Sequence, residues 1–248
     1  LDGMEKAAKF IAEKLLEQTH KVETNQDIAQ VAAISSGSQE VGEIIAKAME
    51  KVGRDGVITV DESNGFETEL ETVEGLQYDK GFISPYMVSN REKNEAVLDN
   101  PYILVTDQKI NTIQEVLPLL EKIVQPKKPL LIIADDIDQE VTATLVLNKL
   151  RGTFNVVCTK APSFGDNQKA MLEDIAIVTG ATYFAKDLAM ELKDGQLEDL
   201  GHATRVVVKK DDTTIVGGSG DKNRLAERIA ELKQQIENTT QEYDKKRL

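Results

Sequence analysis

Lys128-Pro129-Leu130-Leu131-Ile132-Ile133-Ala134-Asp135-Asp136 sets an unbroken apolar run between a proline and two carboxylates. A run that short, ending in β-branched residues and showing no alternation, reads as a strand buried on both faces. The same grammar extends in both directions. Tyr102-Ile103-Leu104-Val105 is a strand and 116–124 a helix; 139–151 is a helix and Phe154-Asn155-Val156-Val157 a strand; 167–178 is a helix and Thr182-Tyr183-Phe184 a strand. Short apolar strands alternating with helices of about a dozen residues predict an α/β fold: a layered domain whose largely parallel sheet is flanked by helices and joined by right-handed crossovers. Arg205–Val208 and Thr213–Val216 add strands around the turn at Asp211-Asp212. A charged helix runs from about Asp221 to Asn238, and Tyr243–Leu248 opens another.

Upstream of residue 74 the chain is α-rich. Met4, Ala7, Ala8, Ile11, Leu15 and Leu16 recur at helical spacing over 4–19. A second helix follows Thr24-Asn25, carried by Ile28, Val31 and Ala32. A third opens at Ser36-Gly37-Ser38, runs through Val41, Ile44, Ile45, Ala48 and Met49, and stops at Gly53, where a left-handed cap is accessible. Val57–Val60 and Phe66–Val73 then read as strands either side of Ser63-Asn64-Gly65. The α-rich region and the α/β region meet near Glu74-Gly75.

Composition narrows the function. The 248 residues carry 30 Lys+Arg against 43 Asp+Glu, a formal net charge of −13, which disfavours nucleic acid and anionic membranes as partners. No apolar run approaches the ~20 residues that span a bilayer. Cys158 is the single cysteine, so an internal disulfide is excluded. His20 and His202 are far apart, without Cys or His at metal-ligand spacing, and sit in polar surroundings that predict exposure. No G-x-S-x-G run is present. No catalytic residue and no metal ligand set is assigned. Leu1-Asp2-Gly3 reads as the start of an excised piece.

Two features carry chemistry. On the helix at 116–124, Pro118 belongs to the first turn, and Val116, Leu117, Leu119, Leu120, Ile123 and Val124 cover an arc of roughly 160°, wider than the ~100° a helix lying on a sheet needs. The next helix has Ala143, Val146, Leu147 and Leu150 on one side and Val141 and Leu145 on the other. Either a third layer, such as the charged C-terminal helix, covers the surplus, or an open groove between the two helices takes apolar segments of other chains. The second feature is Asp135, Asp136 and Asp138 directly after a buried strand. At the carboxyl end of a strand these acids allow an alternative reading as an α/β enzyme with a divalent-metal site, or they form a solvated loop. Gly217-Gly218-Ser219-Gly220 lacks phosphate-loop spacing and reads as a turn before a helix. Cys158 reads as a small buried side chain.

Several stretches resemble one family. Val52-Gly53-Arg54-Asp55-Gly56-Val57-Ile58-Thr59-Val60, Val73-Glu74-Gly75-Leu76-Gln77-Tyr78-Asp79-Lys80-Gly81-Phe82-Ile83-Ser84-Pro85-Tyr86, Lys128–Ala134, Ala143-Thr144-Leu145-Val146, Lys160-Ala161-Pro162-Ser163-Phe164-Gly165-Asp166 and Lys169–Ala176 are similar to the group I chaperonins, the GroEL-type sixty-kilodalton heat-shock proteins. The resemblance implies an equatorial helix remnant over 1–17, the first intermediate-domain segment over 18–73, and an apical polypeptide-binding domain over 74–248 that lacks its extreme C-terminus. It implies no ATP site in these residues, because the family's glycine-aspartate-glycine-threonine motif is not among them; ATP and Mg belong to the full-length protein, a protein-folding ATPase. The implied partners are non-native polypeptides and the co-chaperonin's mobile loop. The full-length assembly would be a heptameric double ring and this piece a monomer, cytoplasmic if bacterial or in an organelle matrix if eukaryotic.

Residue by residue, the resemblance places the polypeptide-binding surface at Phe82, Ser84, Tyr86, Met87, Leu117, Leu120, Thr142, Val146, Leu147 and Asn148. It makes Gly75 an interdomain hinge and Lys80 an inter-subunit charge. Thr142 departs from the family, which commonly has leucine there, and Met87 stands where an aromatic is common. Leu117→Glu or Leu120→Glu is expected to abolish capture and leave the fold intact.

Overall fold

The computed structural model describes residues 2–20, 22, 24–53, 58, 68, 70 and 75–238. The strands expected over 57–60 and 66–73 and the helix expected from Tyr243 fall essentially outside these residues. The chain forms two compact units, Leu1–Thr72 and Val73–Leu248, each taken by itself below.

The first unit holds α1 (Asp2–Glu17), α2 (Asn25–Ser36) and α3 (Gln39–Val52). Thr24 caps α2 through a reciprocal box, its hydroxyl accepting from the Asp27 amide at 3.1 Å while the Asp27 carboxylate accepts from the Thr24 amide at 2.9 Å. Ser38 caps α3. Gly37 between the two helices takes φ 70°, which favours a residue without Cβ, and Gly53 ends α3 at φ 78° with its amide on the Met49 carbonyl. At Gly42 a Cβ would lie 2.5 Å from the Ala29 carbonyl oxygen, so α2 and α3 approach through small residues.

The second unit is built on an eight-stranded sheet. Its strands are β1 (Gly75–Tyr78), β2 (Ala96–Asp99), β3 (Tyr102–Thr106), β5 (Leu130–Ala134), β7 (Val156–Lys160), β8 (Tyr183–Phe184), β9 (Gly201–Val208) and β10 (Thr213–Gly218); β4 (Lys109–Ile110) and β6 (Asp136–Ile137) form a separate ladder. The helices are α4 (Leu117–Val124), α5 (Gln139–Leu150), α6 (Gly165–Thr179) and α7 (Lys222–Asn238). The centre is parallel. β3 runs beside β5 from Tyr102↔Leu130, and β5 beside β7 from Leu130↔Val156. β3 and β5 are buried along their whole length, as strands covered on both faces must be.

The antiparallel wing was the less legible part. β9 divides its free edge between β3, at Tyr102↔His202, and β2, at Leu98↔Val206, while its other edge takes β10, which in turn takes β1. β1 and β2 have only four residues each and mixed polarity, too little pattern to mark a strand. The main apolar core lies about the central strands, with Leu98, Ile103, Leu104, Leu130–Ile133, Leu145, Val157 and Ile215 fully shielded.

The segment after β1 joins the two ends of this strand order. Tyr78 Oη lies 2.7 Å from Thr159 Oγ1 on β7. The Phe82 amide donates to the Lys209 carbonyl at 3.1 Å and the Ile83 amide to the Cys158 carbonyl at 2.9 Å. Residues 82–83 therefore occupy the outer edge of β7, and the chain goes directly into the 3-10 turn Pro85–Met87.

Candidate functional site

The two helices whose apolar surplus raised the question of an open groove are set by β4 and β6. These strands pair in parallel, Lys109↔Asp136 and Ile110↔Ile137, and the Asp138 amide donates to the Ile110 carbonyl at 2.9 Å. Each strand leads into its helix, so α4 and α5 are launched from one small ladder. A box between Thr112 and Glu115 closes the 3-10 turn Ile113–Glu115 that precedes α4. Pro118 sits in the first turn, where a missing N–H costs nothing. Asp138 opens α5, its carboxylate accepting from the Glu140 amide at 2.8 Å.

The wide arc on α4 is mostly filled. Val116, Leu119, Leu120 and Ile123 are buried. The covering layer is not the C-terminal helix. Residues 192–199, as two 3-10 turns, pack on α4, and Lys122 on that helix donates to the Gly195 carbonyl at 2.9 Å. A Cβ on Gly195 would lie 3.1 Å from the Phe184 ring and 3.5 Å from Leu119 Cδ2, so this loop seats tightly. α7 instead packs on α6, where Arg228 Nε meets Asp174 at 2.6 Å.

α5 divides the same way. Val141, Thr142, Leu145 and Val146 face inward, while Leu147 and Leu150 are 53% and 63% exposed. Thr142 Oγ1 is buried without a hydrogen-bond partner among the described residues.

The residues expected on the binding surface thus separate into three groups. Leu117 (40% exposed), Leu147 and Tyr86 (70%) face solvent. Phe82, Ser84 and Asn148 are half-buried, with Asn148 Nδ2 donating back to the Thr144 carbonyl at 2.9 Å. Leu120, Thr142, Val146 and Met87 are buried, between 0% and 8% exposed. Met87 lies deepest. It is fully buried, and its thioether accepts the Cys158 amide at 3.3 Å. Its hydrophobicity goes into the core of the unit rather than into a contact surface. Leu150, absent from the expected set, joins the exposed residues; its place on one side of α5 with Leu147 was the available signal.

Lys149 lies between those two leucines in sequence and goes the other way. Its Nζ donates to the Met87 carbonyl at 2.6 Å and to the Val156 carbonyl at 3.3 Å. Burial pulls its ammonium down to about 8 despite the neighbouring Cys158, and burial pushes the Cys158 thiol up to about 12.

Each aspartate after β5 has a protein partner. Asp136 pairs with Lys160 at 2.8 Å, and that hydrogen bond holds its carboxyl below the usual range. Asp135 accepts from Gln168 Nε2 at 3.2 Å, and Asp138 caps α5. Asp135 and Asp136 line a cleft of about 340 Å³ together with Lys80, Lys109 and Lys160, three cations that oppose a divalent ion. Among the described residues no group of three or more His, Cys, Asp and Glu side chains is placed to hold one. Lys80 itself lies 3.8 Å from Asp79 and 5.9 Å from the centre of the exposed Phe164 ring.

Four other residues singled out in the sequence take the following places. Cys158 is buried. His202 is not simply exposed: its ring rests 4.8 Å from that of Tyr102, and burial and then Lys128 lower its pKa. Asp221 caps the last helix through the Asn223 and Arg224 amides at 2.8 and 2.9 Å. Gly75 lies in β1 with a Cβ position 2.2 Å from the Ile215 carbonyl oxygen.

A model of the TCP-1/cpn60 chaperonin family matches residues 1–236. The chain belongs to that chaperonin family. Among its relatives is the Chaperonin GroEL of Acholeplasma laidlawii (strain PG-8A), 62% identical over 247 residues. The alignment covers all of this chaperonin chain but 46% of that relative, so the chain spans about half the length of the curated relative it matches. Within this chaperonin chain, among the described residues, no helix is long and apolar enough to cross a membrane.

Proposed function

We propose that the unit Val73–Leu248 is the polypeptide-capturing part of a molecular chaperone. The observation that carries this reading is the division of α4, α5 and the 85–87 turn into a sealed side and an open one. Leu117, Leu147, Leu150 and Tyr86 stand in water beside helices whose other apolar positions are packed. Exposed large side chains gathered on neighbouring elements are uncommon on a soluble surface and mark a place of association. Leu117 at the opening of α4 and Leu147 and Leu150 in the last turns of α5 suit an extended or helical guest with apolar anchors.

If those four side chains each give up roughly 40 Å² of apolar surface, burial yields about 4 kcal/mol at 25 cal/mol/Å². The guest's own burial adds a similar gross amount, from which association and ordering costs are subtracted. The outcome is weak capture per site, suited to a receptor of many unfolded sequences, with repetition in a ring supplying avidity. By resemblance, the same surface takes a co-chaperonin's mobile loop, Gly75 hinges this unit, and Lys80 meets a neighbouring subunit. Residues 1–17 and 18–73 are equatorial and intermediate segments, and 74–248 the apical domain. The whole protein, a heptameric double ring in the cytoplasm or an organelle matrix, would use ATP and Mg held outside these residues.

The test is capture of a short fluorescein-labelled amphipathic peptide with leucines on one face, read by anisotropy. Leu117→Glu and Leu147→Glu each weaken binding at least tenfold while the far-ultraviolet dichroism is unchanged. Undiminished binding by both variants overturns the reading.

A further inference from the structure

Tyr86 belongs to a segment with little regular structure of its own. The 3-10 turn Pro85–Met87 is three residues long, and it stands beside α5 and the strand β7. Backbone bonds fix its start, through Phe82 and Ile83, and the Met87 thioether plugs it into the core. At its far end the Met87 carbonyl accepts from Lys149, a residue of α5.

We propose that Lys149 is a positioning residue: its ammonium clamps the 84–87 turn and the start of β7 to the last turn of α5, and so fixes Tyr86 relative to Leu147 and Leu150. The inference rests on the capture surface proposed above. Three observations point to it. The donor reaches two carbonyls belonging to two different elements, Met87 at 2.6 Å and Val156 at 3.3 Å. The direction of the side chain is opposite to that of its neighbours, since Leu147 and Leu150 point to water while Lys149 is partly withdrawn from it. A lysine gives up hydration at a cost, and among the described residues no carboxylate is its partner; carbonyls offset that cost, so the contact serves geometry rather than charge neutralisation.

Guest affinity depends on that geometry because it depends on preorganisation. A turn free to move away from α5 leaves Tyr86 to be ordered at each binding event, and the ordering is subtracted from affinity. Lys149 acts through Tyr86 and touches no guest itself.

Two measurements on the full chain test this. The first is amide hydrogen exchange at Ile83, Met87, Val88 and Cys158. In Lys149→Met these amides exchange roughly tenfold faster, about the loss of one charge-assisted hydrogen bond, while those of β3 and β5 keep wild-type protection. The second is affinity for the labelled amphipathic peptide, which falls about three- to tenfold in Lys149→Met and recovers in Lys149→Arg, whose guanidinium again offers donors to the two carbonyls. Wild-type exchange at the four amides in Lys149→Met overturns the clamp. Unaltered peptide affinity in Lys149→Met overturns its role in capture. A wild-type chain that fails to bind the peptide overturns the capture reading and the affinity half of this one together, and the exchange result then decides the clamp alone.

Discussion

The backbone amide of Cys158 donates to the thioether sulfur of Met87 at 3.3 Å, in a place where both side chains are fully shielded from water. This contact ties the 84–87 turn to the outer strand of the sheet and commits the Met87 side chain to the core. Met87→Ala is therefore a core substitution. It leaves a cavity and an amide without its acceptor, and unfolding by urea shows a loss of about 3 kcal/mol. Met87→Leu keeps the volume and costs less than ~1.5 kcal/mol.

Leu117 and Leu120 lie three residues apart on one helix, yet they answer to different physics. Leu120 is buried, so Leu120→Glu places a carboxylate in an apolar site and costs several kcal/mol, seen as a large drop in the thermal midpoint. Leu117→Glu shifts the midpoint by only a degree or a few, about 1 kcal/mol or less, because the side chain already meets water. The two midpoints, measured side by side, separate an open helix face from a sealed one.

How far the sequence reached depends on where the information lay. The central strands were legible because a strand buried on both faces is a continuous apolar run, and Leu130–Ala134 is one. α4 and α5 were legible from period and from Pro118. The covering of α4 was not, because the turns at 192–199 carry no periodicity and reach the helix only through the fold. The burial of Met87 was illegible for a related reason. A methionine beside Tyr86 has the same character in a core or on a surface, and its burial follows from β7 lying next to that turn.

Gly75 shows the same limit. Read in sequence, its value is dihedral freedom; in the structure it sits in β1 opposite Val216, with the Ile215 carbonyl oxygen 2.2 Å from where a Cβ would be. A side chain there has to push backbone away, since a carbonyl cannot rotate aside like the end of a long side chain. Gly75→Ala separates β1 from β10, and exchange of the amides in the Gly75–Tyr78 and Thr213–Val216 ladder accelerates while β3, β5 and β7 stay protected. Wild-type protection in that ladder would refute the close-approach account.

Thr142 carries a buried hydroxyl with no hydrogen-bond partner among the described residues. Val has nearly the same shape and removes the unpaired group. Thr142→Val accordingly raises stability by about 1 kcal/mol in urea unfolding, against the usual direction of core substitutions. Thr142→Ser, which keeps the hydroxyl and opens a methyl-sized gap, lowers it.

Lys149 and Cys158 make stability depend on pH in opposite directions. Burial lowers Lys149 to about 8 from an ordinary value of 10.5, so between those limits the unfolded chain holds a proton that the folded chain has released, and stability rises with pH. Burial raises Cys158 to about 12 from 9.0; there the folded chain keeps the proton that the unfolded one has lost, and stability falls. Burial also raises the Tyr78 phenol, adding to the fall above pH 10. The sum is a rise from about pH 8 to 9, a flat stretch to about 10 while the lysine and the thiol oppose each other, and a decline beyond 10 as the phenol joins the thiol. Lys149→Met removes the rise and leaves the decline; Cys158→Ala extends the rise and softens the decline. Urea unfolding of the three chains from pH 7.5 to 11 checks the assignment, which fails if Lys149→Met keeps the wild-type slope between pH 8 and 9.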